Sequence, residues 1–123
     1  MRIVIAGEPV PKERPRKGQH GNFYTPRTTR AYEEIVAYSA MAAGGRIEGP
    51  VKLTVWIYTA NRRLDGDNVL KALQDGLQPH AYKNDQQVSE THVYRVWSET
   101  PRVEIEIEPA TERSELQEVG SAA

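Results

Sequence analysis

Residues 51–77 read VKLTVWIYTANRRLDGDNVLKALQDGL, a strand pattern followed directly by a helix pattern. Apolar side chains alternate with polar or amphipathic ones over residues 51–58, which predicts a strand with one strongly apolar face. Residues 61–67 are polar and predict a connector. Apolar side chains then recur at helical spacing over residues 68–77, so a helix is predicted there. Its predicted buried side consists of Val69, Leu70, Leu73 and Leu77.

The rest of the chain supplies four further predicted elements: strands at 2–6, 88–97 and 102–108 and a helix at 28–43. Residues 98–101, between the last two strands, predict a hairpin turn. Residues 8–27 hold four of the eight prolines and predict a long irregular loop, because proline fixes φ and donates no backbone hydrogen bond. The order β-α-β-α-β-β predicts an α+β fold in which a mixed four-stranded sheet is backed by two helices.

The predicted helix at 28–43 has recognisable boundaries. Thr28 or Thr29 is expected to cap its beginning, and the glycines at 44 and 45 are expected to end it. The apolar side chains that recur at helical spacing are Ala31, Ile35, Tyr38 and Ala42.

Length and composition limit the class of protein. The chain has 123 residues, enough for one domain with a single core and too few for two. We expect that domain over residues 1–109 and a polar tail over residues 110–123. The absence of cysteine excludes a disulfide scaffold, a thiol nucleophile and a cysteine-ligated metal. With no long apolar run and no leader-like segment, we expect no membrane partner and a cytoplasmic location.

The charges are distributed unevenly along the chain, although the formal net charge is only −1. Residues 1–30 carry seven basic and two acidic side chains, whereas residues 98–123 carry two basic and seven acidic ones. The basic end predicts a local field for an anionic partner, which the acidic end cannot face at close range.

The connector after the first quoted strand contains a pair of carboxylates, Asp65 and Asp67. On an extended backbone the two side chains would point the same way, and two clustered carboxylates need either a cation or a proton. Mg²⁺ binds proteins through one or two carboxylates together with substrate phosphate oxygens. The alternative is that Asp67 only caps the helix, that Asp65 belongs to a turn, and that Asp67, Lys71 and Asp75 form a solvated salt-bridge stripe.

A third carboxylate, Asp85, lies in the polar turn before the strand at 88–97. It is either an ordinary turn residue or a third ligand, and in the second case the three acids would converge on one metal cradle. The proline-stiffened segment at residues 9–17, called the arm below, is either a solvated loop or a segment that contacts phosphates. The basic residues of the arm and its surroundings are Lys12, Arg14, Arg16, Lys17, Arg27, Arg30, Arg62 and Arg63.

Three blocks of the chain resemble the RusA family of Holliday junction resolvases. They are residues 7–16, then Tyr24-Thr25-Pro26 with Tyr32-Glu33, and finally Asp65-Gly66-Asp67-Asn68-Val69-Leu70-Lys71 followed by Asn84-Asp85-Gln86-Gln87-Val88. The third block is the most specific, and the resemblance spans roughly residues 3–109.

The resemblance implies a function for each matched position. It implies that Asp65, Asp67 and Asp85 bind the metal and that Lys71 is the essential lysine. Two supporting positions are implied as well, Asn68 and Asp75. The resemblance further implies a Mg²⁺-dependent or Mn²⁺-dependent homodimer with two active sites that resolves four-way DNA junctions by paired cuts. Two alternatives stay open, namely a nuclease for other branched DNA and a junction-binding module without catalytic activity.

Overall fold

The structure, a computed structural model, describes residues 1–110 except for the side chain of Arg16. The predicted tail therefore lies outside the described residues, apart from its first residue. No helix within residues 1–110 is long and apolar enough to cross a membrane, and the cytoplasmic location stays a prediction. The elements are β1 (Arg2–Ala6), β2 (Arg16–Lys17), β3 (Phe23–Tyr24), α1 (Arg27–Ala43), β4 (Val51–Thr59), α2 (Gly66–Leu77), β5 (Val88–Trp97) and β6 (Arg102–Pro109).

The predicted α+β class is confirmed, because β1, β6, β4 and β5 form one mixed four-stranded sheet in that order. β4 and β5 are parallel, while β6 is antiparallel to both β1 and β4. The predicted hairpin between β5 and β6 is wrong. The backbone N–H of Ser98 donates to the carbonyl of Thr59 (3.1 Å) and that of Gly7 to the carbonyl of Pro101 (3.1 Å), so residues 98–101 cross the end of β4.

The difference in burial between the last two strands explains their placement. β6 alternates between fully buried side chains (Val103, Ile105 and Ile107) and outward glutamates, a pattern that fits an interior position in the sheet. All side chains of β5 are exposed or half-buried, as expected for a strand at the edge of the sheet. Both helices pack against one face of the sheet, and the core lies between them. The apolar face predicted for β4 is confirmed, because it forms part of this core.

Helix α1 presents a different side to the core from the one its spacing suggested. Its buried residues are Thr29, Tyr32, Val36 and Ala40. Ile35 and Tyr38, by contrast, are 51% and 67% exposed. Both sets recur at helical spacing, so periodicity alone could not choose between them. The predicted threonine cap is also wrong, because Pro26 occupies the N-cap position without a side-chain hydrogen bond.

The remaining differences between the predicted and the observed elements lie near the carboxylate pair and the loop at 8–27. The predicted loop at 8–27 contains a small hairpin, in which β2 pairs antiparallel with β3. Helix α2 begins at Gly66, two residues earlier than predicted, and Asp65 rather than Asp67 is its N-cap. Its predicted buried side is confirmed, although Leu70 is only half-buried and Ala72 and Gly76 join the buried set.

Gly76 is the point of closest approach between α2 and α1. A Cβ atom added there would lie 2.6 Å from Cβ of Val36 and 2.8 Å from the carbonyl oxygen of Glu33. We predict that Gly76→Ala lowers the free energy of unfolding by about 1–3 kcal/mol, because the helices have to separate. Gly45→Ala is the matched control, since an added Cβ meets no atom within 4 Å there. Equal stability of the two variants in urea denaturation would contradict this packing.

Candidate active site

The carboxylate pair is held at the N-terminus of α2. The Asp65 carboxylate accepts hydrogen bonds from the backbone N–H of Asn68 (3.1 Å) and from its side-chain amide (2.8 Å). Asp67 lies in the first turn of the helix and is exposed. Asp65 is extended but Asp67 is helical, so the expected fully extended pair is not formed. The positive end of the helix dipole nevertheless favours both carboxylates at this position.

The proline-rich arm lies against this helix end. The backbone N–H of Lys12 donates to the carbonyl of Asn68 at 2.8 Å, which fixes the arm beside the first turn. A cleft of about 450 Å³ opens between the arm and the helix. Its lining residues are Lys12, Glu13, Arg14, Pro15, Asp65, Asp67, Asn68 and Lys71. The structure thus brings the carboxylate pair, the predicted lysine and part of the basic arm together around one cleft.

Lys12 has carboxylate partners within the chain. Its ammonium group pairs with the Asp75 carboxylate and lies 3.7 Å from Oε1 of Glu33, so it links the arm to both helices. The hydrogen bond that Lys12 donates to Asp75 raises the pKa of Lys12, and burial raises the pKa of Glu33. Asp75 therefore helps to hold the arm against α2 through Lys12. Among the described residues no ion pair joins Lys71 to Asp67 or Asp75, so the alternative salt-bridge stripe is not formed.

Asp85 is separated from the other two carboxylates. It accepts a hydrogen bond from the side-chain amide of Gln78, which lies immediately after the last residue of α2. A helix of 12 residues is about 18 Å long, and Asp65 lies at its other end. The expected convergence of all three acids within one chain is therefore wrong. The physical reason is that Asp65 follows the end of β4, whereas Asp85 precedes the start of the parallel strand β5.

The other predicted basic residues lie on the arm, on β2, on α1 and in the connector between β4 and α2. Arg14 lines the cleft, Arg16 and Lys17 form β2, Arg27 and Arg30 lie in the first turns of α1, and Arg62 and Arg63 lie between β4 and α2. All of these side chains that the structure describes are exposed.

Arg95 in β5 is a residue near the site that sequence reasoning missed. Its guanidinium group donates to the carbonyl of Leu64, the residue before Asp65. Arg95 thereby anchors the connector that carries the carboxylate pair. The sequence did carry a signal for Arg95, which lies two residues after Val93 in a predicted strand. Side chains two residues apart on a strand point to the same face of the sheet, here the face that carries the helices.

A model of the family described as Endodeoxyribonuclease RusA matches residues 6–108. The chain belongs to the RusA family. The resemblance stated from the motifs is thereby confirmed, and the matched range contains both the carboxylate pair and Asp85. The chain is also similar to the Uncharacterized protein YqaN of Bacillus subtilis (strain 168), with 29% identity over 134 aligned residues that cover 87% of this chain and 94% of that protein.

Nucleases of the RusA family generally depend on a divalent metal. We therefore asked whether the carboxylates and histidines of this chain could hold one. Within residues 1–110, no three histidine, aspartate or glutamate side chains lie close enough together to hold a metal ion. Asp65 and Asp67 do supply two carboxylates beside one cleft. Two carboxylates with phosphate oxygens from a substrate are a common Mg²⁺ ligand set, so the residues fit a metal that is completed by other ligands.

The Lys12–Asp75 pair gives a prediction about stability. Lys12→Met and Asp75→Asn should each lower the free energy of unfolding by about 1 kcal/mol, because both groups are partly exposed. The double variant should lose less than the sum of the two, since either substitution removes the same pair. Lys17→Met, in the exposed strand β2, is the control for removing a lysine. Additive losses in chemical denaturation would refute the pair.

Proposed function

We propose that this protein is a metal-dependent endodeoxyribonuclease that resolves four-way DNA junctions. One observation carries the proposal: Asp65, Asp67 and Lys71 line a single cleft beside the basic arm. Hydrolysis of a phosphodiester needs acidic groups for a cation and positive groups for the phosphate backbone, and this cleft combines the two. Membership of an endodeoxyribonuclease family supports the same reaction.

Each residue has a distinct task in this proposal. Asp65 and Asp67 would hold Mg²⁺ or Mn²⁺, which when bound supplies charge stabilisation at the phosphate and lowers the pKa of a water. Asn68 keeps the Asp65 carboxylate in place through its two hydrogen bonds. Lys71 lies one helical turn after Asp67, where its ammonium group can neutralise a non-bridging or leaving oxygen. The exposed arginines and Lys17 would hold the DNA backbone.

The position of Asp85 supports a homodimer with shared sites. A third carboxylate implied by the family motif cannot reach the pair from the same chain, because the length of α2 separates them. A second copy can place its own Asp85 beside this pair, and two-fold symmetry then completes both sites together. Two symmetric sites also match the reaction, since a junction is resolved by paired cuts in two strands of like polarity.

Charge-removing substitutions separate chemistry from binding. We predict that Asp65→Asn, Asp67→Asn, Asp85→Asn and Lys71→Ala each slow Mg²⁺-dependent cleavage of a synthetic four-way junction by about 100-fold or more. Asparagine is also a good N-cap, so Asp65→Asn removes the charge but keeps the start of α2. Junction binding without metal should persist in the aspartate variants and become no weaker, because each loses a charge that repels phosphate.

The controls test the site and the substrate separately. Glu106→Gln removes a carboxylate of β6 on the face of the sheet away from the helices and should cleave normally. Near-normal cleavage by any one aspartate variant would remove that residue from the site. Equal cutting of flaps or linear duplex would contradict the junction assignment, and binding without nicking by the wild-type protein would identify a binding module.

A further inference from the structure

An exposed tryptophan lies at the same end of the sheet as the carboxylate pair. Trp97 is the last residue of β5 and pairs with Thr59, the last residue of β4, after which the connector to Asp65 begins. Its side chain is 51% exposed. The other tryptophan, Trp56, stacks on Tyr94 with a ring separation of 6.0 Å. Trp97 thus presents a large aromatic surface to solvent beside the proposed site.

Two guanidinium groups hold the Trp97 ring. The Cζ atom of Arg62 lies 5.1 Å from the ring centroid and that of Arg95 lies 5.9 Å from it, both within the range of a cation–π interaction. Arg95 also donates to the carbonyl of Leu64, so the same side chain contacts the ring and the residue that precedes Asp65. The aromatic surface and the carboxylate pair are therefore connected through Arg95.

A cleft of about 280 Å³ opens beside the ring. Its lining residues are Ala60, Arg62, Trp97, Ser98 and Glu99. Nucleobases stack on aromatic rings and on arginine planes, and Arg62 and Arg63 provide the positive charge that attracts the adjoining phosphates. The chemistry of this cleft therefore fits one base with its backbone.

We propose that Arg62 and Trp97 form a stacking site for a single base at the branch point of the DNA. The proposal deepens the proposed function and rests on it. In a continuous duplex both faces of a base are covered by its neighbours, so stacking on a protein requires that the base leave the helix. At a branch point the stacking is already interrupted, and exposing a base there requires less energy. Such a site would favour branched DNA over linear duplex.

Affinity measurements test the stacking site. Trp97→Ala should weaken binding to a four-way junction about tenfold, in line with the loss of one stacked base, whereas Trp97→Phe should retain most of the affinity. Arg62→Lys keeps the charge but loses the planar group, so its affinity should lie between those of the wild type and Trp97→Ala. Binding to linear duplex should change little in all three. Unchanged junction affinity in Trp97→Ala would overturn the proposal.

Fluorescence locates the base directly, because the chain has two tryptophans. In Trp56→Phe all indole emission comes from Trp97, and saturating junction DNA in EDTA should quench it. In Trp97→Phe the emission comes from Trp56, on the opposite face of the sheet, and should not respond. A bound junction, verified by mobility shift, that leaves Trp97 emission unchanged would overturn the stacking site while leaving the nuclease proposal intact. Failure of the wild-type protein to bind any branched DNA would overturn both.

Discussion

The parallel pairing of β4 with β5 is the constraint on which the site depends. Parallel neighbours need a crossover, and α2 supplies it, so the start of α2 has to lie at the carboxyl end of β4. In open sheets with parallel strands, ligands bind at the carboxyl ends of the strands. Asp65 caps the helix there and the arm passes beside its first turn. The same pairing places Asp85 at the opposite end of the two strands. One topological feature therefore both builds the carboxylate pair and separates it from the third acid.

In the proposed function, ion pairs within the chain determine which charged side chains remain for DNA. Lys12 pairs with Asp75 and Glu33 and so fixes the arm in place, and the proposal therefore assigns the phosphate contacts to the exposed basic groups. The acidic strand β6 directs its glutamates to the face of the sheet away from the helices. Hydrogen bonds from Arg102 and Arg2 hold the pKa of Glu104 below its ordinary value and keep its charge paired. The glutamates of β6 thereby stay on the face of the sheet that does not carry the helices.

Local patterns predicted the elements, whereas tertiary contacts decided the points where the prediction failed. The alternation in β4 and the periodicity of α2 were sufficient because each has one clear apolar face. Helix α1 has two apolar stripes, and the close contact of Val36 with Gly76 selects the one that is buried. Strand order could not be read from residues 98–101, because a short connector can cross a neighbouring strand as well as form a hairpin. The motif identified the three aspartates by type and order, but their separation is a property of the crossover and has no local signal.

Mixed dimers test the shared site most directly. When Asp65→Asn and Asp85→Asn chains are unfolded and refolded together, each mixed dimer should contain one intact site, in which the Asp85→Asn subunit contributes Asp65 and its partner contributes Asp85. With random assortment about half of the dimers are mixed, and each mixed dimer has one of its two sites intact. The number of active sites that nick a four-way junction should therefore recover to about one quarter of the wild-type number. Mixing Asp65→Asn with Asp67→Asn should recover nothing, because both residues belong to the same half of the site. Mixed dimers of the first kind that are present by mass and yet inactive would contradict a site built from two chains.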